Sequence, residues 1–508
     1  MSGGWGIAHG LPYFFHVDEP HFVGVALGMV QRGSSHPMWF GNPGSTVIQP
    51  LYWAFTLWYA LTDDGAIGFS NPELGRVIDG GGWSEYYLLA RILNLGYYAV
   101  LPLLAWAMAR RLAGPRAARV AAVLVLASPL MLAHAKIVRT DAAGAAFATF
   151  GLWRTLELLD GRARRRDWAL AGLAIGLGVA TRYHLLALAP GLAVAATARV
   201  RRSGARVAAQ DLALGLALVV VGFAAATPHF VLDLPDSLAT VRHEARSEHL
   251  GADGLDFTGH LAFYATVLAG ELPLSEPVPG SAAPVPWLAF AGVTVLAATR
   301  PWALLVVLAF VGSMLCGICL QALHWERWII PLLPALLAFT AVPIALAARV
   351  LAQWLRAGAA IELGIAIGLT AIAARAQLAA CARIEARTTA PDTRIVAREW
   401  IVAHVAPGSR ITGEWYTAPL SGAGFAWREV AHLPDLDVEA PPPMPARYLV
   451  ASSAMIDRFR AEPARFAREV AYYDALAARA SLVATFAPDG DLVVGPTIWI
   501  YDLEGARR

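Results

Sequence analysis

The feature that most limits how this chain can fold is a set of long apolar runs. Residues 117–138, 168–200, 207–227, 301–323 and 328–348 each approach or exceed the roughly 20 residues that cross a bilayer as a helix. The runs are continuous rather than alternating, which argues against a membrane β-barrel. Only 15% of the 508 residues are charged while 57% are hydrophobic, too little charge for a soluble protein of this length. The chain therefore reads as a polytopic α-helical membrane protein.

Arginine orders the topology. Arg110, Arg111, Arg116 and Arg119 fall in one short connection, Arg162, Arg164, Arg165 and Arg166 in another, and Arg199, Arg201, Arg202 and Arg206 in a third. Cytoplasmic loops collect basic residues, so these three lie inside. Crossings are then expected over about 86–109, 117–137, 141–159, 168–181, 183–200, 207–227, 286–299, 301–322, 328–348 and 357–377, about ten transmembrane helices in all. Residues 1–85 fall outside, as do the loop 228–285 and everything from about 385. The aromatic-rich stretch 45–61 is short for a span, and Trp and Tyr favour the interface, so it is expected to lie in the outer leaflet. An external segment of 85 residues needs something to carry it across. Residues 1–17 hold neither a basic n-region nor an apolar h-region, so a first helix upstream of the sequence is expected.

The tail, 385–508, reads as a small soluble α/β domain. "DTRIVAREWIVAHV" has helical periodicity with Ile395, Trp400, Ile401 and Val405 on one face, while "RYLVASS" and "TIWIYDL" read as strands around a helical segment. "APPPMP" is a linker. The basic residues form no nucleic-acid footprint, because they cluster between apolar runs. Cys316 and Cys319 form a CxxC inside an apolar helix and read as packing residues.

Candidate chemistry begins at "PYFFHVDEPHF", residues 12–22. Asp18 and Glu19 are neighbours and cannot share one face. Pro20 suits a first helical turn, so one acid serves as a helix cap or as a general base at the mouth of an apolar site. Asp141 in "KIVRTDAAGAAF" competes with Thr140 for a cap, with Lys136 and Arg139 nearby as neutralisers. Arg182 in "ATRYHLL" either snorkels to headgroups or serves a site. Arg327 in "LHWERWIIPLLP" pairs with Glu326 or serves a site, with His324 beside it. His16 and His21 flank the first acids and read as interfacial side chains rather than ligands. Charges beside apolar helices are costly and usually functional. The acids Asp18 and Asp141 and the cations Arg91, Arg182 and Arg327 all map to one membrane face. Arginine forks match phosphate oxygens and carboxylates accept protons, a combination suited to transfer from a lipid-phosphate donor.

These segments resemble, in order, the motifs of the GT-C superfamily of membrane glycosyltransferases. The pattern is most similar to bacterial relatives of protein O-mannosyltransferases and of the lipid A aminoarabinose transferase. "VDEPHFVGVALGMVQRG" resembles the acidic motif of the first external loop, and "RILNLGYYAVLPLLAWAMARRLAG" the helix after it, with Arg91 at its outer end. "VRTDAAGAAFATFGLW" resembles the segment bearing the second acid. "LAGLAIGLGVATRYHLLALAPGLAV" resembles the Gly-rich hairpin, with Arg182 where Lys is usual, and "HWERWIIPLLPALLAF" the late helix with a basic residue. "RHEARSEHL" resembles an external-loop His motif, which marks His249 and Arg246 as acceptor or loop contacts.

The resemblance implies a GT-C fold and a polyprenyl-phosphate-linked sugar as donor. It implies an external active site in a bacterial inner membrane and inversion at the anomeric carbon. Asp18, Glu19 and Asp141 become the catalytic candidates, and Arg91, Arg182, Arg327 and His324 the donor-phosphate contacts. No cofactor is implied, and use of a divalent metal is left open because superfamily members differ. Gln49 precedes Pro50 where relatives often carry a basic residue. The tail lacks a "WWDYG"-like motif, which counts against an oligosaccharyltransferase. Sugar and acceptor stay open, the acceptor being a protein, lipid or glycan. A transporter is the alternative from another class, though transporters concentrate charge near the midplane and show internal repeats. A binding protein for the lipid carrier without a working base is the other.

Overall fold

The structure is a computed structural model, describing residues 6–13, 15–16, 18–62, 82–244, 254–276, 285–437 and 446–504. They divide into a membrane unit, residues 18–62 and 87–382, and a second unit built from 6–16, 82–86 and 383–504. The expected external segment 1–85 is thus split, and its acidic motif belongs to the membrane unit.

The membrane unit opens with α1 (Asp18–Arg32) and α2 (Ser45–Thr62). It continues through α3 (Gly82–Ala113), α4 (Pro115–Leu126), α5 (Pro129–Ala135), α6 (Thr140–Glu157) and α7 (Arg165–Thr181). A 3-10 turn, Tyr183–Leu188, leads to α8 (Ala189–Ser203) and α9 (Ala205–Ala226). The expected external loop is itself helical in part, with α10 (Pro228–Leu232), α11 (Leu234–Glu244) and α12 (Phe257–Glu271). Two-residue strands β1 (Ser275–Glu276) and β2 (Val285–Pro286) pair antiparallel after it. Then come α13 (Trp287–Thr299), α14 (Pro301–Cys319), a second 3-10 turn at Glu326–Leu332, α15 (Leu333–Trp354), α16 (Ala359–Ala373) and α17 (Arg375–Thr389).

All ten expected crossings are helical. Among the described residues five helices are long and apolar enough to span by themselves, and up to seven if each of two bent pairs counts as one. The shortfall has local causes. Within its 18 residues α6 carries Asp141, Arg154 and Glu157, while α7 has 17 residues and α13 has 13. The stretch expected at the interface is α2, which is not among the candidate spans.

Small residues set the helix contacts. A Cβ on Gly172 would stand 2.2 Å from the Gly215 carbonyl oxygen, one on Gly176 2.4 Å from that of Val219, and one on Gly222 2.9 Å from that of Leu173. Backbones of α7 and α9 therefore touch along a Gly stripe, the usual solution where lipid removes the hydrophobic drive for association. Breaks are equally local. Pro129 follows Ser128 at the 57° bend between α4 and α5. The Ser128 hydroxyl accepts from Met131 N, and Glu271 accepts from Ser128 Oγ (2.6 Å) and Leu130 N (2.9 Å), so the broken ladder is satisfied from inside the protein.

The second unit carries a five-stranded sheet of β3 (Arg410–Glu414), β4 (Ala426–Val430), β5 (Tyr448–Ser452), β6 (Ser481–Phe486) and β7 (Ile498–Asp502) in the order β4-β3-β5-β7-β6. Strand β3 pairs parallel with β4 and β5, whereas β7 pairs antiparallel with β5 and β6. Helices α18 (Thr393–His404), α19 (Ser453–Ala461) and α20 (Ala467–Arg479) complete it. Ile401 and Val405 of α18 enter the core with Ile411, Val450, Ile498 and Ile500, while Trp400 packs at its margin. Ile395, expected on the inner face, is only half-buried, and Ala397 takes the buried position. Phe15 stacks on Arg394 and Tyr13 on Arg398, so these residues belong to this unit.

Candidate active site

Two neighbouring acids at the start of α1 go to different partners. Asp18 meets Arg139 Nη2 at 2.5 Å and Arg327 Nη2 at 3.6 Å. Glu19 receives a two-pronged contact from Arg91, Nε to Oε1 at 2.9 Å and Nη2 to Oε2 at 2.7 Å. Glu19 Oε1 also accepts from the backbone N–H of Val138 at 2.9 Å. The contacts run in register, 19 with 138 and 18 with 139. Fixing one pair therefore fixes the other.

The opposing segment is held just as firmly. Asn94 lies one helical turn beyond Arg91 on α3, on the same face. Its Nδ2 donates to the carbonyls of Ala135 (2.9 Å) and Ile137 (2.8 Å), closing the end of α5. Arg139 is the N-cap of α6 with extended backbone, φ −157° and ψ 174°. Asp141 follows in the first turn, where an acid suits the helix dipole. Its carboxylate nonetheless goes to side chains, Arg182 Nη1 at 2.8 Å and Arg139 Nε at 3.5 Å. Thr140 accepts from Asn42 Nδ2 at 3.4 Å.

Both remaining cations sit where a helix is interrupted. Arg182 ends α7 in an extended conformation before the first 3-10 turn, and Arg327 is the second residue of the other 3-10 turn. Irregular backbone at membrane depth is tolerated where it is enclosed by protein or lines a cavity. The loop before α2 is tied to the same place. Gly44 N donates to Thr181 O (3.2 Å), the Thr46 and Thr181 hydroxyls share a hydrogen bond (2.7 Å), and Tyr183 OH donates to Phe40 O (2.7 Å).

The result is a cluster of three arginines, 139, 182 and 327, around two aspartates. Asp141 is shut away, its side chain 1% exposed, whereas that of Asp18 is 36% exposed. Arg327 stacks on Trp325 at 4.9 Å, and its buried Nε has no hydrogen-bond partner among the described residues. Charge excess, one accessible carboxylate and an unpaired guanidinium edge together fit an anion placed beside Asp18.

The structure brings together Asp18, Asp141, Arg182 and Arg327. Arg327 finds Asp18 rather than Glu326 as its ion partner, and Arg182 finds Asp141 rather than the headgroup region. Glu19 and Arg91 stand next to the cluster as a buried pair of their own. The ring of His324 packs on Phe263 (4.4 Å) and His260 (5.1 Å), and His21 meets the edge of Trp39 (4.2 Å). Gln49 Nε2 donates to Ser35 O at 2.9 Å. His249 and Arg246 lie outside the described residues. Sequence reasoning placed Arg139 only as a neutraliser and did not single out Asn94 or His134. His134 is a buried residue one turn before Val138. A polar residue one turn after Arg91 in an apolar helix was the available signal for Asn94. Among the described residues no group of three His, Cys, Asp or Glu could hold a metal ion.

Residues 87–229, which carry Arg91, Asn94, Arg139, Asp141 and Arg182, match the dolichyl-phosphate-mannose-protein mannosyltransferase family. ArnT from Cupriavidus metallidurans in the apo state aligns over 98% of this chain and 96% of its own, with a TM-score of 0.54 and 16% identity. ArnT bound to undecaprenyl phosphate gives 0.54 and 14% identity over 98% and 95%. The archaeal oligosaccharyltransferase AglB from Archaeoglobus fulgidus, in complex with an inhibitory peptide and a dolichol-phosphate, gives 0.50 and 11% identity over 90% and 68%. No curated protein sequence matches the chain. At such identities the likeness to these structures is one of fold, the fold of ArnT over nearly the whole chain, with residues 87–229 also matching the mannosyltransferase family model.

Proposed function

We propose that the chain moves a sugar from a polyprenyl-phosphate donor to an acceptor hydroxyl, with inversion, on the external face of a bacterial inner membrane. The observation that carries this reading is the cluster of Arg139, Arg182 and Arg327 around Asp18 and Asp141, in which one carboxylate alone reaches solvent. It is supported by the ArnT structure that holds undecaprenyl phosphate and the AglB structure that holds a dolichol-phosphate.

In this mechanism the acceptor oxygen attacks the anomeric carbon as the bond from that carbon to the phosphate oxygen breaks. The acceptor proton passes to Asp18, and negative charge collects on the departing lipid phosphate. Arg327 is the cation best placed to meet it. It can turn from Asp18 without baring that carboxylate, because Arg139 stays at 2.5 Å. Stabilising charge as it develops is where preorganised donors contribute most. Asp141 holds Arg182 and Arg139 in place, and Glu19 with Arg91 positions Asp18 through Val138. Glu19 and Arg91 are accordingly positioning residues, not groups that touch substrate.

Asp18→Asn tests the assignment in purified protein with a radiolabelled polyprenyl-phosphate sugar. Release of polyprenyl phosphate is expected to fall by at least 100-fold, the usual contribution of a general base, while donor binding is kept. Undiminished turnover in that variant would falsify the role given to Asp18. A reading as a bare carrier-binding protein predicts no turnover in either form.

A further inference from the structure

At the opposite ends of α3, α6 and α8 from the Asp18 cluster, the membrane unit holds a cavity of about 610 Å³. That volume lies in the range of small-molecule sites. The junction of α13 and α14 lines it, and tryptophans 106, 153 and 302 contribute to its wall. Four arginines line it, Arg110, Arg111, Arg202 and Arg300, against two acids, Glu157 and Asp160.

Those acids are already taken. Arg111 meets Glu157 at 3.0 Å and Asp160 at 2.6 Å, and Arg154 pairs with Glu157 as well. Among the described residues Arg202 and Arg300 donate to backbone carbonyls only, of Leu159 (2.9 Å) and Arg111 (3.0 Å), which close the ends of neighbouring helices. Arg110 faces the ring of Trp106 at 5.2 Å and has no carboxylate partner among the described residues. The cavity therefore presents uncompensated positive charge beside indole rings. Tryptophan of this kind marks the headgroup level of a bilayer.

We infer that this cavity is a binding site for the phosphate of an anionic phospholipid, with Arg110 as its principal contact. The site is separate from the donor site. Only its assignment to the cytoplasmic leaflet rests on the topology of the proposed transferase. Basic pockets between helices at that level recognise anionic headgroups, and the aromatic walls suit the adjoining glycerol and upper chains. A lipid is favoured over a free phosphate ester because Trp106, Trp153 and Trp302 stand in the wall, and indole rings collect at the headgroup level of a bilayer.

Native mass spectrometry of the full chain, extracted in detergent and supplied with phosphatidylglycerol or phosphatidylcholine, tests the inference. Retained phosphatidylglycerol is expected to exceed phosphatidylcholine, and Arg110→Gln to lower it about fivefold with phosphatidylcholine unchanged, as one charge near a surface site implies. Arg206→Gln is the control, an exposed arginine at the start of α9 that does not line the cavity. Equal retention of both lipids, or an equal loss in the two variants, overturns the site in favour of general surface charge. Displacement of phosphatidylglycerol by millimolar glycerol phosphate overturns the lipid as its ligand. Arg110 is exposed and has no carboxylate partner among the described residues, so Arg110→Gln is expected to fold; unfolding of that variant, read from its thermal profile, would instead make Arg110 structural and overturn its role as a contact. None of these outcomes touches sugar transfer, which is assayed separately.

Discussion

If Glu19 positions Asp18 through Val138 and does not meet the donor, changing it damages stability first and turnover only through geometry. Glu19 and Arg91 side chains are 1% and 6% exposed and joined by two hydrogen bonds. Removing one member strands a buried charge, which costs about 3–5 kcal/mol. Glu19→Gln and Arg91→Met are each expected to lose that much in SDS-induced unfolding from mixed micelles, followed by tryptophan fluorescence. In Glu19→Gln the side chain can still accept from Val138 N–H, so the loss is that of the charge pair. The double variant has neither charge, keeps the Val138 contact and fills the space with a flexible thioether. It should lie within about 2 kcal/mol of the unmodified chain, giving a coupling of about 3 kcal/mol or more. Turnover follows the same pattern. A misplacement of Asp18 by about 1 Å is worth roughly 100-fold in rate, and the double variant recovers most of it. Additive losses would sink the clamp. So would a Glu19→Gln protein of normal stability that transfers no sugar, since that outcome makes Glu19 a group acting on substrate.

Four further outcomes follow from the structure. Arg327→Gln is expected to raise KM for the lipid-phosphate donor by about tenfold or more at little cost in stability, in line with roughly 1.5–3 kcal/mol for a hydrogen bond to a charged group; steady-state kinetics against donor concentration reads it. Gly176→Leu must push α7 from α9, because its Cβ would meet the Val219 carbonyl at 2.4 Å, so thermal stability falls by about 3 kcal/mol or more. Gly364→Ala, with nothing within 4 Å of the added atom, stays neutral or gains up to about 1 kcal/mol. In the second unit, burial pushes Glu414 up from 4.5 to about 7, against donors from Tyr473, Ser452 and Leu433. The folded form keeps a proton that the unfolded chain releases near 4.5. Stability is therefore fullest below that pH and declines by on the order of 3 kcal/mol as pH rises to about 7. Unfolding of the full chain at pH 5, 6, 7 and 8, with Glu414→Gln flattening the profile, checks the sign.

How much of this was legible in the sequence depends on the kind of interaction. Arg182 and Asp141 could be picked out because an ion beside an apolar helix is too costly to stand without a reason, and they prove to be each other's partners. The break at Arg182 was legible, since the expected crossings divide there at 181 and 183, but the 3-10 geometry of Tyr183–Leu188 was not, because "YHLLAL" keeps the apolar character of a helix. Glu19 and Val138 are separated by 119 residues, and any residue but proline offers the same backbone N–H, so no residue type announces that contact. The strand pair around β5 was readable from "RYLVASS" and "TIWIYDL". Strand β3 was not, because "RITGE" mixes charge with a glycine and takes its register from the parallel neighbours β4 and β5. A Cβ at Gly413 would stand 2.2 Å from the Trp427 ring, so the residue that weakens the strand signal is the one the packing requires.

The two opening acids have different surroundings, and neither set of contacts, Glu19 with Arg91 and Val138 or Asp18 with Arg139 and Arg327, is a cap of α1 itself. Glu19 spends both oxygens inside the protein, on one arginine and one backbone N–H, and that closed accounting leaves it nothing to exchange with substrate. Asp18 is bound to two arginines, only one of them at close range, and a third of its side chain faces outward. The proposed transfer needs a general base restrained enough to be aimed and open enough to receive a proton, and of the two acids Asp18 is the one whose surroundings fit that role. The neighbouring positions also explain why the restraint can be strong without occupying the base itself. Pairing 19 with 138 determines where 18 and 139 stand, so the rigid contact lies one residue away from the chemistry. Three arginines against two aspartates then leave the cluster one negative charge short, and the cation with the looser hold on its partner, Arg327, is the one facing that gap. A bound phosphate monoanion would balance it, whereas a neutral sugar alone would not. This is the physical reason to place the lipid phosphate, and not only the sugar, at Arg327.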